Sequence, residues 1–81
     1  MEEEKIIVMK VEKRSQVSVM LQQSLAKHGR LIEARLGLHR KNKGRDEGLV
    51  ILCTKGKEKD IADLLKTLRK IDGIQVKSIT M

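Results

Sequence analysis

The two halves of this chain repeat one plan, and that repetition constrains the fold more than any other feature. Apolar runs occupy Lys5–Glu12, Arg30–His39, Gly48–Thr54 and Ile74–Met81. A segment with helical spacing separates the first run from the second, and another separates the third from the fourth. The order is βαββαβ, the split-βαβ arrangement. A chain of 81 residues has room for one such unit. Residues 1–4 are expected to form a frayed, charged lead and residues 5–81 the domain.

Each element carries its own signals. Lys5-Ile6-Ile7-Val8-Met9-Lys10-Val11 and Leu49-Val50-Ile51-Leu52-Cys53 are nearly continuous in apolar residues, which places both strands at the centre of a sheet. The second run alternates: Ile32, Ala34, Leu36 and Leu38 share one face, and Glu33, Arg35, Gly37 and His39 the other. This predicts one core face and one polar face. Ser15 suits the N-cap of the first helix, Val17, Met20, Leu21 and Leu25 form its apolar face, and Gly29 suits the C′ position. Gly56 suits the N-cap of the second helix, whose stripe is Ile61, Leu64, Leu65, Leu68 and Ile71 and whose end is Gly73. The polar stretch 40–47, with a turn signal at Asn42–Gly44, predicts a hairpin loop. Together these give a ferredoxin-like α+β fold. It has a four-stranded antiparallel sheet in the order 4-1-3-2 and both helices on one face.

Composition removes several functions that this architecture can host. The chain has no aromatic residue, so it lacks the rings on which RNA-recognition domains stack bases. The loop Glu12-Lys13-Arg14-Ser15 holds neither the paired cysteines of a heavy-metal carrier nor the glycine-rich phosphate cradle of an acylphosphatase. The lone Cys53 excludes an intramolecular disulfide and reads as a buried, inert thiol. His28 reads as a helix cap and His39 as the end of a solvent-facing row, and no metal or cofactor is expected. No catalytic constellation is legible, so the chain is not expected to be an enzyme. The acidic start Met1-Glu2-Glu3-Glu4 is unlike a signal peptide and no run reaches transmembrane length, which predicts a cytoplasmic location and no membrane partner. The net charge of +7 keeps a basic nucleic-acid-associated protein, contacting backbone phosphates, as the alternative class. The cluster Arg40, Lys41, Lys43 and Arg45 reads as a solvated hairpin.

Three segments carry a resemblance: Arg35-Leu36-Gly37-Leu38-His39-Arg40, Gly48-Leu49-Val50-Ile51-Leu52 and Ile71-Asp72-Gly73-Ile74-Gln75-Val76-Lys77. A glycine in strand two, aliphatics in strand three and a G-[IV]-x-V-K ending resemble the small ACT-like iron-only hydrogenase system regulators. The likeness extends over nearly the whole chain. More distantly, the chain resembles the effector domain of nickel-responsive NikR-type repressors. There the metal ligands would fall at Arg35, Gly37 and Gly48, so nickel binding does not carry over. The loop after strand one lacks the glycine usual in amino-acid-binding ACT domains. The resemblance implies a regulatory or sensing domain, including transcription regulation, that acts through oligomer interfaces.

Three expectations follow. The chain forms a homo-oligomer, a dimer or tetramer, because either Ile6 and Val8 or Ile7, Met9 and Val11 would otherwise face water. Any small ligand is anionic and sits at a subunit interface near the loop after strand one, at Lys13, Arg14, Ser15 and Gln16, at the N-terminal end of the first helix. A protein partner is the other possible effector.

Overall fold

The structure is a computed structural model that describes residues 2–12, 15–42 and 45–81. Its elements are β1 (Glu2–Glu12), α1 (Ser15–Lys27), a 3-10 turn (Gly29–Leu31), β2 (Ile32–Asn42), β3 (Arg45–Lys57), α2 (Glu58–Arg69) and β4 (Ile74–Thr80). The strands form one antiparallel sheet in the order β2-β3-β1-β4, so the two continuous apolar strands are central. This is the ferredoxin-like arrangement expected from the repeated halves.

The helices cover one face of the sheet. Ile7, Met9 and Val11 of β1 and Leu52 of β3 meet Val17, Leu21 and Leu25 of α1 and Ile61, Leu64, Leu65 and Leu68 of α2. Leu31 and Ile71 close the ends of this core. Every residue of the expected α2 stripe is buried, whereas Met20 of α1 is exposed. Thr54 is the buried polar side chain of this layer, and its hydroxyl donates to the Lys5 carbonyl at 2.9 Å. That bond removes the cost of burying an unpaired hydroxyl.

The ends of the elements differ from expectation in four places. β1 starts at Glu2, so Glu2–Glu4 are not a frayed lead: they pair with Lys57, Gly56 and Lys55 of β3. Opposed charges reinforce the pairing, with Lys55 Nζ 3.8 Å from Glu4 Oε1. Ser15 is the first residue of α1 rather than its cap. Gly29 does not close α1 in a left-handed conformation; the chain tightens into the 3-10 turn, with the Leu31 N–H donating to the His28 carbonyl at 3.0 Å. Gly56 lies within β3, and Lys57 is the N-cap of α2. A Cβ at Gly56 would lie 2.5 Å from Leu31 Cδ2, so a larger residue there would have to displace the Leu31 side chain. Gly73, by contrast, ends the α2 region as expected and takes a φ of 96°.

β2 carries the largest correction. Its apolar alternation does not face the helices. A β-bulge lies between Ile32, opposite Thr54, and Ala34, opposite Cys53. The extra residue reverses the parity of the strand. Ile32 stays on the helix side and packs on the core. Ala34, Leu36 and Leu38 turn to the opposite face, where Leu36 is 54% and Leu38 47% exposed. Arg35 occupies the helix side instead, and its Nη2 donates to Gln22 Oε1 of α1 at 3.4 Å.

Candidate functional site

The register of the sheet assembles an apolar surface on the face away from the helices. Residues directly opposite in an antiparallel pair share a face. One row across the four strands is therefore Ala34, Cys53, Ile6 and Ile79. The next is Leu36, Ile51, Val8 and Lys77, and the third Leu38, Leu49, Lys10 and Gln75. Apolar side chains fill the first row and the β2, β3 and β1 positions of the second. The polar positions gather at one corner, on β4 and the end of β1. Ile6, Val8, Leu49, Ile51 and Cys53 are half-buried by their neighbours, and Ile79 is 58% exposed.

This resolves the two possibilities left open by the first strand. Ile7, Met9 and Val11 are the core set, and Ile6 and Val8 face outward. It also corrects Cys53, which is only half-buried and lies in this outer surface. The sequence signal for the surface was the run of apolar residues on both faces of β1 and β3. For β2 no such signal existed, because a bulge is invisible in a strictly alternating pattern.

The expected anion site lies at the other end of β1. Lys13 and Arg14 lie outside the described residues, as does the side chain of Ser15. Gln16 is exposed in the first turn of α1. At the Glu12 end of β1 is a cleft of about 430 Å³ lined by Lys10, Val11, Glu12, Glu47, Asp72, Gly73, Ile74 and Gln75. The Glu12 N–H donates to the Gly73 carbonyl at 2.9 Å and ties β1 to the start of β4. Among the described residues its charged lining is three carboxylates, Glu12, Glu47 and Asp72, and Lys10.

The remaining candidates have structural roles or stay apart. His28 Nδ1 donates to the Ser24 carbonyl at 2.9 Å, which satisfies a backbone acceptor at the end of α1. His39 lies on the exposed part of β2 opposite Gly48. Arg35 and Gly37, at the positions of the NikR-type ligands, share the helix-side face of β2 with His39. Among the described residues no group of three His, Cys, Asp or Glu side chains is placed to hold a metal ion. The hairpin register sets Arg40 opposite Glu47 and Lys41 opposite Asp46, while the side chains of residues 40–46 and all of Lys43 lie outside the described groups. Among the described residues, no helix is long and apolar enough to cross a membrane.

No family model and no curated protein matches this chain. Solved structures do resemble it. An uncharacterized protein from Thermotoga maritima superposes with a TM-score of 0.89 at 21% identity, covering 100% of this chain and 99% of that one. The apo form of CPII from Thiomonas intermedia, a nitrogen regulatory PII-like protein, has a TM-score of 0.52 at 12% identity, covering 100% and 92%. A protein from Thermus thermophilus described as PII-like and signaling has a TM-score of 0.50 at 11% identity, covering 98% and 88%. At these identities the likeness is one of fold.

Proposed function

We propose that this chain is a non-enzymatic regulatory domain of the ACT-like kind, in which an oligomer interface on the open sheet face responds to a small anionic ligand or a protein partner. The observation that carries the reading is the open apolar face itself. Folded monomers rarely leave contiguous apolar surface of this extent in water, and such a surface marks an interface. Support at the level of fold comes from the PII-like regulatory proteins, and at the level of motif from the resemblance to iron-only hydrogenase system regulators. Ligand- or partner-dependent repacking of an interface is how a small domain without a catalytic centre transmits a signal.

The ligand site of this reading is Lys13, Arg14, Ser15 and Gln16. A thermal-shift screen of nucleotides, phosphates and carboxylates tests it on the full chain and on Arg14→Ala. A ligand at one hundred times its Kd stabilises the folded state by about 2.7 kcal/mol. For a domain of this size that raises Tm by roughly 10–20 °C. Arg14→Ala is expected to leave the unliganded Tm unchanged and to abolish most of the shift. A binder indifferent to Arg14→Ala refutes the site, and a screen with no binder leaves the protein partner as the effector. The net charge of +7 favours one second reading, a protein that contacts nucleic-acid phosphates. Duplex DNA binding whose affinity falls steeply with salt would establish that reading instead.

A further inference from the structure

We infer that the open sheet face is covered by a second copy of this chain, packed face to face and turned about a two-fold axis that runs across the strands. The inference rests on reading that face as an interface and on nothing about a ligand. Its size fits a dimer. Three rows that span all four strands, with the Glu4–Lys55 and Glu12–Glu47 pairs at their ends, give roughly 520 Å² in projection at about 4.8 Å between strands and about 6.8 Å between rows, and a corrugated surface presents more than its projection. Each partner in a standard interface contributes about 800 Å².

The distribution of polarity selects the axis. A two-fold along the strands would lay β4 over β2 of the second copy. Lys77 would then sit on Leu36, stripping an ammonium of water against an aliphatic side chain. An axis across the strands keeps each strand over its own counterpart. The apolar β2 then meets apolar β2, and Lys77 meets its equivalent at the rim, where both ammonium groups reach solvent. Lys10 is the charge this leaves inside the face: it lies over Ile6 of the second copy with Glu4 of that copy in the next row, whereas a two-fold along the strands would set both Lys77 and Lys10 on leucines.

Side-chain size makes the same choice. The face is graded along the strands, with the small Ala34 and Cys53 at one end and Leu38 and Leu49 at the other. The inversion places Leu38 over Ala34 of the second copy and Leu49 over Cys53, large against small, and so the surface complements itself. An axis between the Val8 and Lys10 rows would set Leu36 on Leu38, and a two-fold along the strands would set Leu38 on Gln75.

Paired substitutions test this by sedimentation equilibrium of the full chain. Wild type is expected to dimerise in the micromolar range, more tightly as salt screens two positively charged copies. Ala34→Leu is expected to weaken the dimer at least tenfold by overfilling the contact. Leu38→Ala is expected to weaken it by a similar factor by emptying the same contact. The double variant restores large against small with the order reversed and is expected to return to within about threefold of wild type. Far-ultraviolet circular dichroism and Tm of each variant at monomeric concentration verify folding. A wild-type monomer at several hundred micromolar overturns the proposal. So does a dimer indifferent to both single changes, or losses that simply add in the double variant. A dimer that behaves as expected while no ligand shifts Tm supports this inference and removes only the ligand arm of the regulatory reading.

Discussion

Replacing one leucine on each side of the sheet by alanine separates the two layers of this molecule. Leu52 is completely buried beneath the helices, beside Ile7 on the neighbouring strand. Leu36 lies one strand away on the opposite face and is half exposed. Truncating Leu52 removes the transfer free energy of its side chain and leaves a cavity in a layer that cannot close around it. The expected cost is about 3–4 kcal/mol. Domains of this size lose about 4–8 °C of Tm per kcal/mol, so Tm falls by roughly 20 °C. Leu36 has already kept half its surface in water and leaves no enclosed cavity. Full burial of a leucine contributes about 1.5–3 kcal/mol, so its truncation costs roughly 1 kcal/mol or less in the monomer, about 5 °C. Urea denaturation at submicromolar concentration measures both values without contribution from self-association. Repeating the Leu36→Ala measurement at high concentration is expected to show a larger loss, because the wild type then gains stability from association. A cost above about 2 kcal/mol for Leu36→Ala at high dilution, or equal costs for the two variants, would show that the alternating face of β2 is the core face. The bulge would then not reverse it.

Two glycines supply further checks by the same urea method. Gly73→Ala is expected to cost about 1–2 kcal/mol, because φ of 96° suits glycine alone and the Gly73 carbonyl anchors the Glu12 N–H. Gly56→Ala is expected to cost about 1–2 kcal/mol by pressing on Leu31. Combined with Leu31→Ala, it should add less than its single cost, and strict additivity would show that the two groups do not meet.

Much of the fold was legible because local patterns determine local structure. The repeated halves specify βαββαβ, and continuous apolar runs make β1 and β3 central. The stripe Ile61, Leu64, Leu65, Leu68 and Ile71 specifies the buried side of α2. Gly73 marks a backbone conformation that other residues avoid. Each of these follows from neighbours a few residues away. The expected anion site could be placed only by analogy with helix ends, and its basic side chains, Lys13 and Arg14, lie outside the described residues.

The tertiary structure decided what depends on partners far along the chain. An alternating strand shows which residues share a face, but not which face the helices will take. One bulge, set by how β2 aligns with β3, turned Leu36 and Leu38 outward and left Arg35 on the helix side. The reach of β1 back to Glu2 came from the length of β3, and the close approach at Gly56 came from Leu31, distant in sequence. The apolar rows on the open face exist only once four strands lie side by side, because each residue in a row comes from a different part of the chain.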